Sequence, residues 1–271
     1  MPELPEVETT RRGIAPYLLG ARIADVLVRD PRLRYPVPAD LPAVVAGQTV
    51  VDLRRRGKYL LLGLEKGTLL LHLGMSGSLR VLSADSPPGP HDHIDLIMDN
   101  GRCVRLRDPR RFGALLWVTG HPADHPLIRH LGPEPLEDGF DGRYLHTRSR
   151  ARRAAVKNFI MDARIVVGIG NIYANESLFL ARIHPSRSCG RISLERYRRL
   201  ACEIKDVLRQ AIELGGTSLR DFVNEDGHPG YFSLSLNVYG RDNEPCPICG
   251  TALSHRRIGQ RSSFFCARCQ R

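Results

Sequence analysis

The chain has 271 residues, 42% of them hydrophobic, and carries 40 Lys and Arg against 29 Asp and Glu, a net charge of +11. That apolar content supplies two modest domains with cores and excludes a disordered chain. The excess of positive charge, spread in Arg-rich runs, points to a polyanionic partner. No apolar run reaches the length of a membrane span, and the acidic amino terminus lacks the apolar core of a signal peptide, so a cytoplasmic protein without membrane contact is expected.

In chain order, Leu4, Val7, Ile14 and Leu18 follow helical spacing, with Pro5 suited to a first turn and Pro16 near the expected end. Eight short β-rich runs follow, at residues 23–28, 50–53, 59–64, 69–73, 79–82, 94–98, 104–106 and 115–118, several separated by Gly, Pro or Asp-Asn-Gly. Their rhythm predicts an antiparallel sandwich or barrel. Residues 131–142 turn acidic and turn-rich, which places a boundary there and a first domain over 1–132. Beyond it, apolar residues at 194, 197, 200, 204, 207, 208 and 211 give the strongest helical periodicity in the chain. A mainly helical domain is expected over 133–236. The last part, 237–271, is Cys-rich and too small to hold a core without a staple.

That staple is a metal. Cys246, Cys249, Cys266 and Cys269 form C-x2-C-x16-C-x2-C, whereas Cys103, Cys189 and Cys202 are scattered. Two thiolate pairs at this spacing converge tetrahedrally from a β-hairpin, and a closed four-thiolate site leaves no open position for chemistry. One structural zinc and no organic cofactor are expected. Between the pairs, His255, Arg256, Arg257, Gln260 and Arg261 should point outward from the hairpin.

At the other end, Pro2, Glu3 and Glu6 ordinarily read as helix-start residues. Position 2 is also small enough for removal of Met1, which would leave a secondary amine. An α-amine titrates near 8, so a useful fraction is a nucleophile at physiological pH, and Glu3 beside it could move protons.

The segment P-E-L-P-E-V-E-T at residues 2–9 resembles the amino-terminal signature of the formamidopyrimidine-DNA glycosylases, within the wider Fpg/endonuclease VIII family. The likeness continues through R-R-G-K-Y-L-L (55–61), L-G-M-S-G (73–77), H-D-H (91–93), D-P-R-R-F-G (108–113), G-I-G-N-I-Y-A (168–174) and the terminal four-cysteine finger. The resemblance implies a multidomain α+β fold: an N-terminal antiparallel β-sandwich flanked by helices, a helix–two-turns–helix domain and a zinc-finger β-hairpin. It implies a bacterial enzyme, associated with the nucleoid through damaged double-stranded DNA and working as a monomer. Such an enzyme excises oxidised purines, chiefly 8-oxoguanine and formamidopyrimidines, and then cleaves the abasic strand by β- and δ-elimination. By resemblance Pro2 is the nucleophile, Glu3 the proton donor, Lys58 a lyase and phosphate residue, and Arg261 the finger arginine held on phosphate. His91, Arg110, Arg152 and Asn171 match DNA-contacting positions.

A base excised from a duplex must first leave the stack, and the hole must be filled. Met75, Arg110 and Phe112 match the family's filling set, two apolar wedges and a hydrogen-bonding guanidinium. Glu6 and Glu176 are expected near the base pocket, and a Gly-containing loop over 215–231 beside it. Two other readings are an endonuclease VIII-type enzyme for oxidised pyrimidines and a zinc-finger DNA binder without catalysis. The complete Met, Arg and Phe set speaks against the first, and Pro2, Glu3, Lys58 and Arg261 together against the second.

Overall fold

A computed structural model describes residues 2–215 and 236–271; most of the 215–231 loop therefore lies outside the described residues. The described chain forms two compact bodies, one from residues 2–129 and the other from residues 130–214 and 236–271. Among the described residues no helix is long and apolar enough to cross a membrane.

The first body opens with α1 (Leu4–Leu18). Pro5 sits in the first turn, where the missing N–H costs nothing, and Glu6 Oε2 accepts the Glu3 N–H at 2.7 Å. The helix runs two residues past Pro16 before turning extended at Leu19. A proline in the last turn breaks one hydrogen bond to the preceding turn without ending the helix. Gly20, at φ 79°, then donates its N–H to Val50 O at 2.9 Å.

Eight strands follow: β1 (Ile23–Val28), β2 (Val50–Arg56), β3 (Tyr59–Leu64), β4 (Gly67–His72), β5 (Ser78–Ser83), β6 (Asp92–Met98), β7 (Arg102–Arg107) and β8 (Ala114–Val118), with a short α2 (Leu41–Val45) between the first two. Each of the eight expected runs corresponds to a strand: the first and third coincide with theirs, and the other six differ by one to three residues at an end. They form two antiparallel four-stranded sheets, in the orders β1-β6-β7-β5 and β2-β3-β4-β8. Val7, Ile14 and Leu18 of α1 join Leu53, Leu60, Leu62, Leu69, Leu71, Leu96, Val104 and Leu106 in one core. Each such buried side chain contributes roughly 1.5–3 kcal/mol.

The second body holds α3 (Gly142–Ser149), α4 (Val156–Met161), α5 (Asn171–Leu180), α6 (Leu194–Glu213) and the hairpin β9 (Ser254–Ile258) and β10 (Arg261–Phe265). Ser193 caps α6, its hydroxyl accepting the Arg196 N–H, and Asp141 caps α3 by accepting from Tyr144 N at 2.7 Å. Tyr173, Leu178, Tyr197, Leu200, Ile204 and Leu208 lie in its main core. A smaller cluster, Phe179, Val238, Leu253 and two of the cysteines, ties the finger to α5.

Candidate active site and metal centre

In the first body, strand register brings separate loops to one end of the sandwich. Tyr59, His72 and Ala114 are cross-strand neighbours, so the β2–β3 turn with Lys58, the 73–77 loop leaving β4 and the 108–113 loop entering β8 share that end. In the other sheet Arg107 pairs with both Ser78 and Asp92, which adds the start of β5 and His91. Helix α1 runs with its amino terminus toward the same end. Its last turn is tied to the start of β2 by the Gly20–Val50 bond, while Glu8 reaches Arg55 at the far end of that strand, Oε2 to Nε 3.3 Å. Pro2, Glu3, Lys58, Met75, His91, Arg110 and Phe112 therefore belong to one end of one body.

Several features hold this end rigid. Arg55 also donates to the carbonyl of Gly57 at 3.0 Å, and Gly57 takes φ 57°, which fixes the turn that presents Lys58. Glu8 takes further bonds from Arg11 and Arg12. Burial alone would raise the Glu8 carboxyl, but these guanidiniums pull it down to about 2. His72 lies against Tyr59, ring centroids 4.8 Å apart, and its Nδ1 accepts the Gly74 N–H at 2.9 Å. Desolvation, with Lys58 and Arg34 nearby, lowers its imidazole to about 4, so it is neutral at physiological pH.

Phe112 is 43% exposed and Met75 half-buried, both on loops. The Arg110 guanidinium lies 4.7 Å from the Phe112 ring centroid, so the cation and the apolar wedge stack. His91 is exposed with φ 70°. Glu6 is buried at the helix start with Glu3.

The remaining expected residues lie in the second body. Asn171 is the first residue of α5 behind a glycine N-cap, where backbone N–H groups point out of the helix. Asn175, one turn on, donates to Asn171 O at 2.6 Å and accepts the Phe264 N–H at 2.8 Å, which ties the start of α5 to β10. The β9–β10 turn, Gly259 and Gln260, has φ 55° and 63°, as a two-residue type I′ hairpin requires. A Cβ at Gly259 would lie 2.4 Å from the Asn158 amide. Arg261 follows the turn directly and is exposed, as are His255, Arg256, Arg257 and Gln260. Beneath it, fully buried Lys157 donates to Ser262 O at 2.6 Å and Ser263 Oγ at 2.7 Å.

Arg152 is exposed beside a kink at Ala151, φ 61°, with its guanidinium 5.9 Å from the Phe159 ring. It lines an open cleft with Arg153, Ser188 and Arg191. Glu176 is buried, and its carboxylate accepts four bonds, from the backbone and side-chain N–H of Asn237 and the backbone N–H of Val238 and Tyr239, at 2.8–3.0 Å. These four bonds fasten the chain that leads into the finger.

The four finger thiols lie within 4.8 Å of one another, with Cys249 and Cys266 Sγ 3.5 Å apart and Cys246 and Cys269 4.0 Å. A tetrahedron of thiolates around zinc at ~2.3 Å has edges of about 3.8 Å. The donor set and its geometry fit one zinc ion.

Residues 1–115 match the formamidopyrimidine-DNA glycosylase N-terminal domain, 131–223 the formamidopyrimidine-DNA glycosylase H2TH domain, and 243–271 the zinc finger found in FPG and IleRS. The chain is 58% identical over 271 residues, all of both chains, to formamidopyrimidine-DNA glycosylase of Methylococcus capsulatus, and 59% identical over 272 residues, again all of both, to that of Acidithiobacillus ferrooxidans. The chain belongs to the formamidopyrimidine-DNA glycosylase family. Among solved structures, this family member matches the MutM (Fpg) protein of Thermus thermophilus at 40% identity and TM-score 0.87, covering 99% and 98% of the two chains. It matches Lactococcus lactis Fpg in complex with N7-benzyl-Fapy-dG-containing DNA at 31% identity and TM-score 0.91, covering all of both.

For this formamidopyrimidine-DNA glycosylase family member the finger carries one structural zinc. Sequence reasoning assigns no role to several residues that hold the site together. Glu8 and Asp108 lie inside motifs of the resemblance without a part of their own, Lys157 and Asn175 lie outside those motifs, and their bonds to Arg55, Ser76, Ser262 and Phe264 join positions 32 to 105 apart.

Proposed function

We propose that this chain, a DNA glycosylase of base-excision repair, excises oxidised purines from duplex DNA through the α-amine of Pro2 and then nicks the strand as an AP lyase. The observation that carries the reading is the shared end of the sandwich, where the start of α1, the Lys58 turn, His91 and the Met75, Arg110 and Phe112 loops converge. Removal of Met1 frees the Pro2 nitrogen. The amine attacks C1′ of the damaged nucleotide, the glycosidic bond breaks, and the departing base takes a proton. Glu3 moves protons to and from the opened sugar. The resulting iminium acidifies the adjacent C2′ proton, whose loss expels the 3′ phosphate by β-elimination; the conjugated iminium so formed acidifies the C4′ proton, whose loss expels the 5′ phosphate by δ-elimination. Lys58, His91, Arg152, Asn171 and Arg261 hold phosphates, and Met75, Arg110 and Phe112 fill the vacated stack.

Glu6 supports the amino terminus beside the base pocket, and Glu176 anchors the chain that enters the finger. Residues 1–132 form the catalytic module, 133–236 the helix–two-turns–helix module and 237–271 the finger. The enzyme works in the cytoplasm as a monomer, and its excess positive charge suits the DNA partner.

The test uses duplexes carrying 8-oxoguanine opposite cytosine, with an oxidised-pyrimidine duplex as control, and borohydride to trap the iminium. A covalent adduct that forms faster on the purine lesion, with Pro2 as the attached residue in mass spectrometry, is the expected result. No adduct on either duplex overturns the reading.

A further inference from the structure

The three side chains assigned to fill the vacated stack come from two loops that share one carboxylate. Asp108 is fully buried at the end of β7. Its Oδ1 accepts the Ser76 hydroxyl at 2.8 Å and its Oδ2 accepts the Gly113 N–H at 2.8 Å. Ser76 in turn accepts the Arg110 N–H at 3.2 Å. The Asp108 main chain adds three more ties. Its N–H donates to His91 O at 3.0 Å, and its carbonyl accepts from Arg111 N at 3.1 Å and His93 Nε2 at 2.9 Å. One residue thus bonds beside Met75, Arg110, Phe112 and His91 without touching the face those side chains present. The loops are also in close contact: Gly74, at φ 64°, has so little room that a Cβ there would lie 2.4 Å from Phe112 C.

A buried carboxylate is costly unless fully paired, and donors at both oxygens leave it one orientation. Apolar contact alone would let the 73–77 and 108–113 loops slide past one another. We propose that Asp108 is a positioning residue that locks Met75, Arg110 and Phe112 into a single wedge for the opened duplex. The inference rests on the assignment of those three residues to stack filling.

A duplex lesion needs the wedge, whereas a preformed abasic site in a single strand has no stack to fill, and its aldehyde is open to the Pro2 amine. Borohydride trapping rates on the two substrates, taken as a ratio, therefore read wedge function apart from chemistry. In Asp108→Asn the amide turns an N–H toward one of the two donors. In Ser76→Ala the link between the loops is removed while Asp108 keeps its bond from Gly113. Both variants should lower the duplex-to-single-strand ratio about tenfold, the scale expected for loss of a charge-assisted bond that positions a reacting system. Ser76→Thr, which keeps the hydroxyl, should hold the ratio within about twofold of wild type. Should Asp108→Asn fail to fold, the Ser76 pair decides alone, since Ser76 is only half-buried. Wild-type ratios in Ser76→Ala overturn the inference while leaving the Pro2 reading intact. A wild-type chain that traps neither substrate overturns both.

Discussion

Lys157→Met isolates the support beneath the finger arginine. Methionine keeps the length and apolar stem of the lysine and removes only the ammonium, which lies fully buried 2.6 Å from Ser262 O and 2.7 Å from Ser263 Oγ. A hydrogen bond from a charged donor is worth about 1.5–3 kcal/mol net, and the desolvation of the ammonium, relieved in the variant, offsets much of two such bonds. Ser263 Oγ retains its 3.3 Å bond to Arg261 O, so the main loss falls on the Ser262 carbonyl. The balance is about 1–2 kcal/mol against the ordered hairpin, a factor of roughly 5–30 in its ratio of ordered to disordered forms. Because Arg261 and Ser262 are adjacent, this loss appears in phosphate contact. Fluorescence anisotropy with a duplex containing a tetrahydrofuran abasic analogue should show Kd rising by at most that factor, in proportion to the fall in the ordered population. Zinc content should stay at one per chain, and the strand ends should shift from δ- toward β-elimination. Unchanged Kd and unchanged ends would refute the coupling of Lys157 to Arg261.

Three further outcomes follow from the same geometry. Pro2→Gly, with Met1 removed, replaces a secondary amine by a primary one without altering the basic surface, so adduct formation should slow while binding to the abasic analogue stays close to wild type; an equal loss of both contradicts the nucleophile assignment. The Glu8 carboxyl sits at about 2 in the folded chain against an ordinary 4.5, so its contribution to stability is fully present above 4.5 and is lost as pH falls through 2. Glu8→Gln should cost up to about 2 kcal/mol at neutral pH, screening of the exposed Arg12 included, and the gap between the thermal midpoints of the two proteins should shrink from pH 4.5 downward and close as pH falls through about 2, or the ion cluster is not the cause. Zinc removal by chelator withdraws binding energy on the order of 10 kcal/mol, so amide exchange over 254–265 should accelerate while β3 and β4 stay protected and nicking is lost; a metal-stripped chain that still nicks would show that the finger is dispensable.

The sandwich is legible because its signals are local. Each strand contains a short apolar run, several of them closed by Gly, Pro or a turn sequence, and even β3 and β4, leucine-rich runs without alternation, are too short to be helices. Helices α3 and α4 escape such reading. The sequence of α3, G-R-Y-L-H-T-R-S, has eight residues and a low apolar content, and α4 has six. Their stability comes from the Asp141 cap and from burial of Leu145, Val156 and Ile160 against residues far along the chain. The two helical residues beyond Pro16 have a similar origin, since Leu18 belongs to the sandwich core and holds the last turn despite the lost bond.

The site divides along the same line. Metal ligands must sit close in sequence to close a small loop, so the Cys spacing alone announces the zinc. Pro2 carries no local signal beyond that of a helix start, and only the wider set of motifs marks it. The charged residues that position the site are the least legible. Ser76 and Asp108 are 32 positions apart, Glu176 and Asn237 61, and Lys157 and Ser262 105. Their burial follows from what the reaction asks of the surface. A face that takes phosphates and fills a base-pair gap must be exposed and polar, so it cannot be made rigid by packing its own side chains. Rigidity has to come from behind it. Asp108 and Lys157 show how: a buried charge tolerates few arrangements of its partners, and each backs an exposed turn, Asp108 the 108–113 loop and Lys157 the turn before Arg261. Neutralising either charge should loosen the turn it backs and leave the other turn unaffected, which amide exchange over residues 73–77 and 254–265 in the two variants resolves.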